Sequence, residues 1–128
     1  MLLGGGMTSA ELKAWTFDVA LRTVRFVGAL PRESRSWVLG RQLLRSGTSV
    51  AAQYRAACRA QSRRDFVSKM KRMEEEADES MLWLALLRST GLPDRLSPEA
   101  ERLESEFSRL TGIAVASAKT AARQLSGK

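Results

Sequence analysis

Apolar residues recur every three or four positions along four successive segments of the chain, which is the spacing of the buried face of an amphipathic helix. Thr8 and Glu11 have the spacing of a capping box, and they predict a first helix that ends before Pro31. The first two helices are therefore expected over about residues 8–29 and 34–60.

Two further cap signals divide the second half of the chain. Ser62 followed by Asp65 predicts the start of a third helix, which Gly91 ends. Ser97 followed by Pro98 predicts the N-cap and first position of a fourth helix. Long helices joined by turns this short predict an all-α fold, an antiparallel up-down four-helix bundle.

A length of 128 residues is enough for one domain with one core. We predict that the bundle covers residues 8–126 and that residues 1–7 form a flexible N-terminal tail. Cys58 is the single cysteine, so an internal disulfide is excluded and a reducing cytoplasm fits. We expect its side chain to be buried as a small hydrophobic group. Because no apolar run approaches the ~18 residues of a membrane span, we expect no membrane insertion and a cytoplasmic location.

The positive charge is concentrated in the middle of the chain. Residues 32–72 hold eleven Lys and Arg but only Glu33 and Asp65, so this segment carries +9 in a chain of formal net charge +7. Four of the five arginines of the second helix, all except Arg35, fall within roughly 80° of one another, about 180° from Leu43 and Val50. Guanidinium groups suit phosphates, which they bind through paired hydrogen bonds. We therefore predict a sequence-independent surface for RNA or DNA, the basic face, formed by Arg41, Arg45, Arg55, Arg59, Arg63, Arg64 and Lys69.

The sequence alone leaves several interpretations of the basic face open. The charge can serve solubility, or the arginines can pair with acids of the third and fourth helices. Pairing cannot account for all of them, because eleven cations outnumber the five acids of residues 74–79 and the four of residues 99–106. The face can also dock an acidic protein, which would make the chain an interaction scaffold. A membrane surface is disfavoured, since the flanking apolar positions 38 and 44 are expected to belong to the core.

Residues for enzymatic chemistry are scarce. The chain has no histidine, so neither the Glu-x-x-His pairs of a carboxylate di-metal site nor a histidine base for Cys58 can be built. In the acidic run of residues 74–79, Ala77 marks the core side of the helix, and Glu75 and Glu79 point away from that side. We therefore predict no enzyme, no catalytic residue, no metal site and no cofactor.

Two helices carry a second apolar surface that a single bundle cannot bury. Leucines of the third helix lie about 160–200° from its core stripe, and the first helix has two apolar sides. A more deeply buried third helix would also explain this pattern. We predict instead a homo-oligomer, because exposed leucines mark a partner surface, with an interface formed by Phe17, Leu21, Val24, Leu82, Trp83 and Leu86.

Several strings together resemble one protein family over about residues 8–125. They are ELKAW at residues 11–15, RSGTSVAAQYRAACRA at 45–60, DF at 65–66, EEEADE at 74–79 and WL at 83–84. The chain resembles the "four helix bundle protein" family, which includes proteins encoded in intervening sequences of bacterial large-subunit ribosomal RNA genes. It is also similar to the accessory variability protein of diversity-generating retroelements.

The resemblance implies an antiparallel four-helix bundle, commonly assembled as a homopentameric barrel with basic surfaces. In the retroelement relatives those surfaces serve nucleic acid and a reverse transcriptase, which the resemblance implies as a partner. The chain departs from the family pattern at Gln53, where Asn is expected. It also departs at Lys71 and Arg72, where smaller or apolar residues are expected, and these two cations make the chain more basic.

Overall fold

A computed structural model describes residues 6–126 of the protein, and the predicted all-α fold is confirmed. Residues 1–5 of the predicted tail lie outside the described residues. Four long helices pack against one another, with a short 3₁₀ turn, Asp94–Leu96, before the last of them. The helices are α1 (Ser9–Gly28), α2 (Ser34–Cys58), α3 (Arg63–Ser89) and α4 (Ser97–Ser126).

The helix ends confirm two of the predicted caps and correct a third. Thr8 Oγ1 accepts a hydrogen bond from the Glu11 amide at 3.1 Å, and Glu11 Oε1 accepts one from the Thr8 amide at 2.8 Å. Ser62 Oγ accepts from the Asp65 amide at 3.0 Å. Ser97 has helical dihedral angles, φ −59° and ψ −43°. It is therefore the first residue of α4 rather than its N-cap, because the 3₁₀ turn leads directly into the helix.

Each helix packs on the helix before it, and of the four neighbouring pairs α1 and α4 contact each other least. Tyr54 near the end of α2 donates a hydrogen bond to Ser9 at the start of α1, 2.9 Å away. Gly40, in the first half of α2, faces Leu30 beyond the end of α1. The two helices are therefore antiparallel, as the bundle prediction requires. The buried apolar side chains follow the predicted stripes and include Leu12, Val19, Phe26, Leu43, Val50, Met70, Met73, Leu84, Leu103, Phe107 and Leu110.

Small residues on the buried side of α2 allow its neighbours to approach closely. A β-carbon placed on Gly47 would lie 2.8 Å from Thr23 Cγ2 on α1 and 3.2 Å from Phe107 Cζ on α4. Thr23 cannot turn away easily, because its hydroxyl donates to the Val19 carbonyl at 2.8 Å. On the α3 side, Ser46 Oγ and Ser80 Oγ lie 2.7 Å apart. Gly47 therefore fixes how α2 is rotated within the bundle.

Polar side chains make much of the limited contact between α1 and α4. Arg22 on α1 donates to Glu99 at 3.1 Å and to Glu106 at 2.8 Å. Trp15 Nε1 also donates to Glu106, at 3.2 Å, and the Arg109 guanidinium lies 4.7 Å from the centre of the Trp15 ring. The bond from Arg22 lowers the pKa of Glu99 below its ordinary value of 4.5. Two acids of α4 are thereby held by cations of the same fold.

We expect Gly47→Ala to destabilise the protein by about 1 kcal/mol or more. Overpacking costs roughly 1–3 kcal/mol, and the better helix propensity of alanine offsets only part of that cost. The measurement is urea unfolding followed by circular dichroism, which gives the free energy of unfolding.

Gly112→Ala is the matched control. Gly112 is exposed within α4, and nothing lies within 4 Å of a β-carbon built there. This variant should gain about 0.5–1 kcal/mol from helix propensity alone. Equal stabilisation by both substitutions would contradict the close contact at Gly47.

Candidate nucleic-acid interface

The outward side of α2 carries the arginines that the helical wheel placed there. Arg41, Arg45, Arg55 and Arg59 are all exposed, whereas Leu43, Val50, Tyr54 and Ala57 of the same helix are buried. The face follows from the packing at Gly47, because the rotation that buries the small residues turns the arginines to solvent.

Four arginines gather around the turn between α2 and α3. Arg55 and Arg59 lie at the end of α2, and Arg63 and Arg64 lie in the first turn of α3. We call these four residues the basic end. The amino terminus of α3 adds its partial positive charge at this place. An open cleft of about 390 Å³ lies beside Arg55 and Arg59 and extends to Gln61 and Lys69.

Three members of the basic face already have partners within the fold. Arg45 bonds Glu76 at 3.3 Å and Glu79 at 2.7 Å on α3. Lys69 bonds Asp65 one turn earlier on its own helix, at 2.9 Å. This bond, with one from the Gln61 amide, lowers the pKa of Asp65 below its ordinary value of 3.8.

The third partnered member is Arg41, whose guanidinium lies 4.8 Å from the centre of the Trp37 ring on the preceding turn of α2. A cation at this distance over an aromatic face is attracted by the ring quadrupole. Unlike Arg45 and Lys69, Arg41 has no carboxylate within 4.0 Å among the residues described, so its charge is not neutralised.

The basic end differs from the rest of the basic face because its charges are unpaired. Within residues 6–126, none of its four guanidinium groups lies within 4.0 Å of a carboxylate or makes a side-chain hydrogen bond. Unpaired guanidinium groups keep all of their donors available for a ligand. Pairing within the subunit therefore explains part of the basic face and leaves this end of it unexplained.

Three acids of α4 are paired with cations of the fold, far from the basic end. On α4, Glu99 and Glu106 bind Arg22, and they also bind Arg102 at 3.0 Å and Arg109 at 3.3 Å. Glu104 pairs with Arg88 across the α3–α4 contact. The bond to Glu104 raises the pKa of Arg88, which stays a cation at any ordinary pH. Since Arg88 lies at the opposite end of α3 from Arg63 and Arg64, these three acids cannot reach the basic end.

Glu76 is only 7% exposed, and this burial was not predicted from the sequence. Arg45 holds its carboxylate, and its backbone carbonyl accepts a hydrogen bond from Ser80 Oγ at 2.9 Å. The spacing of Met73, Glu76 and Ser80 matches the buried stripe of α3, so the helical period could have identified this position.

Two expectations about burial were wrong. Cys58 is exposed rather than buried, and its Sγ lies 3.4 Å from Ser9 Oγ. Val38, which was assigned to the core, is 51% exposed, and its neighbour Trp37 is 62% exposed. Cys58 is the last residue of α2, and Val38 lies about 140° around that helix from Leu43, so the rotation that buries Leu43 turns Val38 to solvent.

The residues predicted for an oligomer interface fall into two groups. Phe17, Val24, Leu82 and Leu86 are exposed, whereas Leu21 and Trp83 are half-buried, and Trp83 packs against the core. The Trp83 Nε1 atom is buried without a hydrogen-bond partner among the described residues. The apolar surfaces on α1 and α3 are thus present on the isolated subunit, as the sequence predicted.

Neither a metal site nor a membrane-spanning segment is found in the part of the chain that the structure describes. Among residues 6–126, no three His, Cys, Asp or Glu side chains are grouped so that they could hold a metal ion. Of the helices described here, none combines the length and apolarity needed to cross a membrane.

The fold and this surface define a four-helix protein with a cluster of unpaired arginines at one end. The chain belongs to the 23S rRNA-intervening sequence protein family, whose match covers residues 10–116. The predicted resemblance to that family is confirmed. The similarity to the accessory protein of diversity-generating retroelements stays a prediction.

A solved structure supports the same assignment. It is a protein of unknown function from the S23 ribosomal protein family of Bacteroides thetaiotaomicron, with 31% sequence identity and a TM-score of 0.77. The similarity covers 88% of this chain and 99% of that one. Among curated proteins, no significant match is found.

Proposed function

We propose that this protein is a nonenzymatic, oligomeric RNA-binding accessory protein, which holds the phosphates of its ligand with the basic end. One observation carries the proposal: four exposed guanidinium groups surround one turn and have no carboxylate partner among the described residues. Their mutual repulsion makes an anionic ligand favourable at this place. Such contacts position a nucleic acid without reading its sequence.

The partnered members of the basic face contribute less to this function. If Arg45 turned to a phosphate, it would leave the Glu76 carboxylate buried and unpaired, which costs several kcal/mol. Lys69 would have to leave Asp65, a smaller cost because both side chains are about one-third exposed. Arg41 keeps its charge available, since its contact with Trp37 neutralises nothing.

The choice of RNA over DNA rests on the family. The family takes its name from 23S rRNA-intervening sequences, and the solved relative is assigned to a ribosomal protein family. Both descriptions associate similar chains with RNA. The proposal places the protein in the cytoplasm with such an RNA. A reverse transcriptase partner stays a prediction, supported only by the resemblance to retroelement proteins.

Self-association is the second part of the proposal. Two apolar surfaces, on α1 and on α3, face solvent in the single subunit, and burial of such surface gains roughly 25 cal/mol per Å². A ring of subunits joined head to tail would cover both surfaces, and the family resemblance favours five subunits. A ring would also repeat the basic end in each subunit, so that weak phosphate contacts gain from multivalency.

The RNA proposal predicts a salt-dependent affinity that is set by the basic end. With a short single-stranded RNA, four phosphate contacts give a slope of about −3 for log K against log salt, or about −0.7 per contact. The double substitution Arg59→Gln with Arg63→Gln should lower the affinity and reduce the slope by about 1.4 units. Fluorescence anisotropy at several salt concentrations gives both quantities.

The matched control removes the same net charge from arginines that are already paired, through Arg102→Gln with Arg109→Gln. These residues bond Glu99 and Glu106, so the slope should stay at the wild-type value. A flat salt response of the wild type, or an equal loss in both double variants, would remove the proposal. Retention of protein partners after nuclease treatment, without RNA binding, would favour the scaffold instead.

The assembly proposal predicts a mass several times 14.2 kDa by light scattering at micromolar concentration. Leu82→Glu with Leu86→Glu places charge on the apolar surface of α3 and should dissociate the oligomer while helical content is kept, because both leucines are exposed. Ser105→Glu with Ser108→Glu adds the same charge to exposed positions of α4 and should leave the mass unchanged. A wild-type mass near 14.2 kDa, that of a single subunit, would contradict the assembly proposal.

A further inference from the structure

A second, larger cleft lies at the opposite end of α2 from the basic end. It surrounds the turn between α1 and α2, has a volume of about 1020 Å³ and includes Pro31, Arg32, Ser34, Trp37, Val38 and Arg41 among its lining residues. We call it the tryptophan cleft, because the 62% exposed Trp37 is its largest side chain. Arg41 is the member of the basic face that lines this cleft, and the basic end and the predicted oligomer surfaces lie outside it.

The charge of the tryptophan cleft is positive. Its acid, Glu33, is bound by Arg35 and also accepts a hydrogen bond from Ser36 Oγ at 3.2 Å. Arg32 and Arg41 therefore remain without a carboxylate within 4.0 Å among the residues described. The cleft thus combines an exposed aromatic ring with two uncompensated cations.

We infer that the tryptophan cleft binds an unstacked base of single-stranded RNA against Trp37, with the adjoining phosphates held by Arg32 and Arg41. An exposed aromatic ring beside cations is the usual means by which proteins bind single strands without sequence preference, since every base has a π-face. In a duplex the bases are stacked on one another and cannot reach the ring. This inference rests on the proposed RNA binding and adds the form of RNA that is bound.

The geometry of α2 allows one strand to reach both sites. Arg41 and Arg59 point to the same side of the helix and lie about 27 Å apart along its axis, at 1.5 Å per residue. The outward face between them is exposed and includes Arg45 and Arg55. A strand anchored at the basic end by its phosphates can therefore follow α2 and place a base at Trp37.

The small apolar surface of α2 favours single-stranded RNA over a membrane, and its charge favours RNA over a second subunit. A membrane-binding surface needs a broad apolar face, whereas Trp37 and Val38 are the only exposed large apolar side chains on the described α2. A second copy of this chain, which is itself basic, would bring further cations to Arg32 and Arg41. A phosphate chain instead neutralises both.

The test compares two ligands of equal length and phosphate number, a single-stranded RNA and an abasic phosphodiester chain. Trp37→Leu keeps an apolar side chain but removes the stacking surface, and it should weaken RNA binding about tenfold while leaving binding of the abasic chain unchanged. Trp37→Phe keeps an aromatic ring and should recover most of the affinity. The wild type should prefer the single strand to a duplex of the same sequence once salt has weakened the phosphate contacts.

Several outcomes would overturn the inference alone. One is that the wild type binds the RNA and the abasic chain equally well, and another is that Trp37→Leu has no effect on RNA binding. A third is that the cleft binds phosphatidylglycerol vesicles through Trp37 instead of RNA. A fourth is that Trp37→Leu changes the mass of the oligomer. In each of these cases, salt-dependent binding that requires the basic end would leave the proposed function intact. If the wild type binds neither ligand, the proposed function and this inference both fail.

Discussion

The close packing of α2 against α1 and α4 at Gly47 is the constraint from which the surface of this protein follows. With no side chain at that position, Thr23 and Phe107 occupy the space that a β-carbon would need. A helix held so closely on one side has one permitted rotation, because its larger side chains must then point elsewhere. In α2 this rotation turns the arginines outward. The position of the charges is therefore a consequence of packing in the core.

Charge pairing then divides the outward arginines into two kinds. Arg45 serves the fold, because it neutralises the buried Glu76 that α3 brings into the bundle. The basic end serves no such purpose within residues 6–126, since none of its four guanidinium groups lies within 4.0 Å of a carboxylate there. Unpaired like charges repel one another and reduce stability. We interpret the basic end as a surface for an anionic ligand that relieves this repulsion.

The sequence predicted the features that depend on local pattern. The capping box of Thr8, the cap at Ser62 and the buried stripes all follow from helical period and cap chemistry, which act within one turn or two. The helical period also places Glu76 on the buried stripe of α3, but the pattern does not show that Arg45 neutralises its charge. Likewise, the sequence placed the arginines on one face but could not tell which of them are paired, because pairing is set by contacts between residues distant along the chain.

The central claim is that the unpaired arginines bind RNA phosphates while the paired ones maintain the fold. Nuclear magnetic resonance of the arginine Nε–H groups during titration with single-stranded RNA tests it most directly, because each guanidinium reports its own contacts. The account predicts that the resonances of the basic end shift and return at high salt, whereas those of Arg22 and Arg88 stay in place. Equal shifts at Arg22 and Arg88, or no shift at the basic end despite binding, would contradict it.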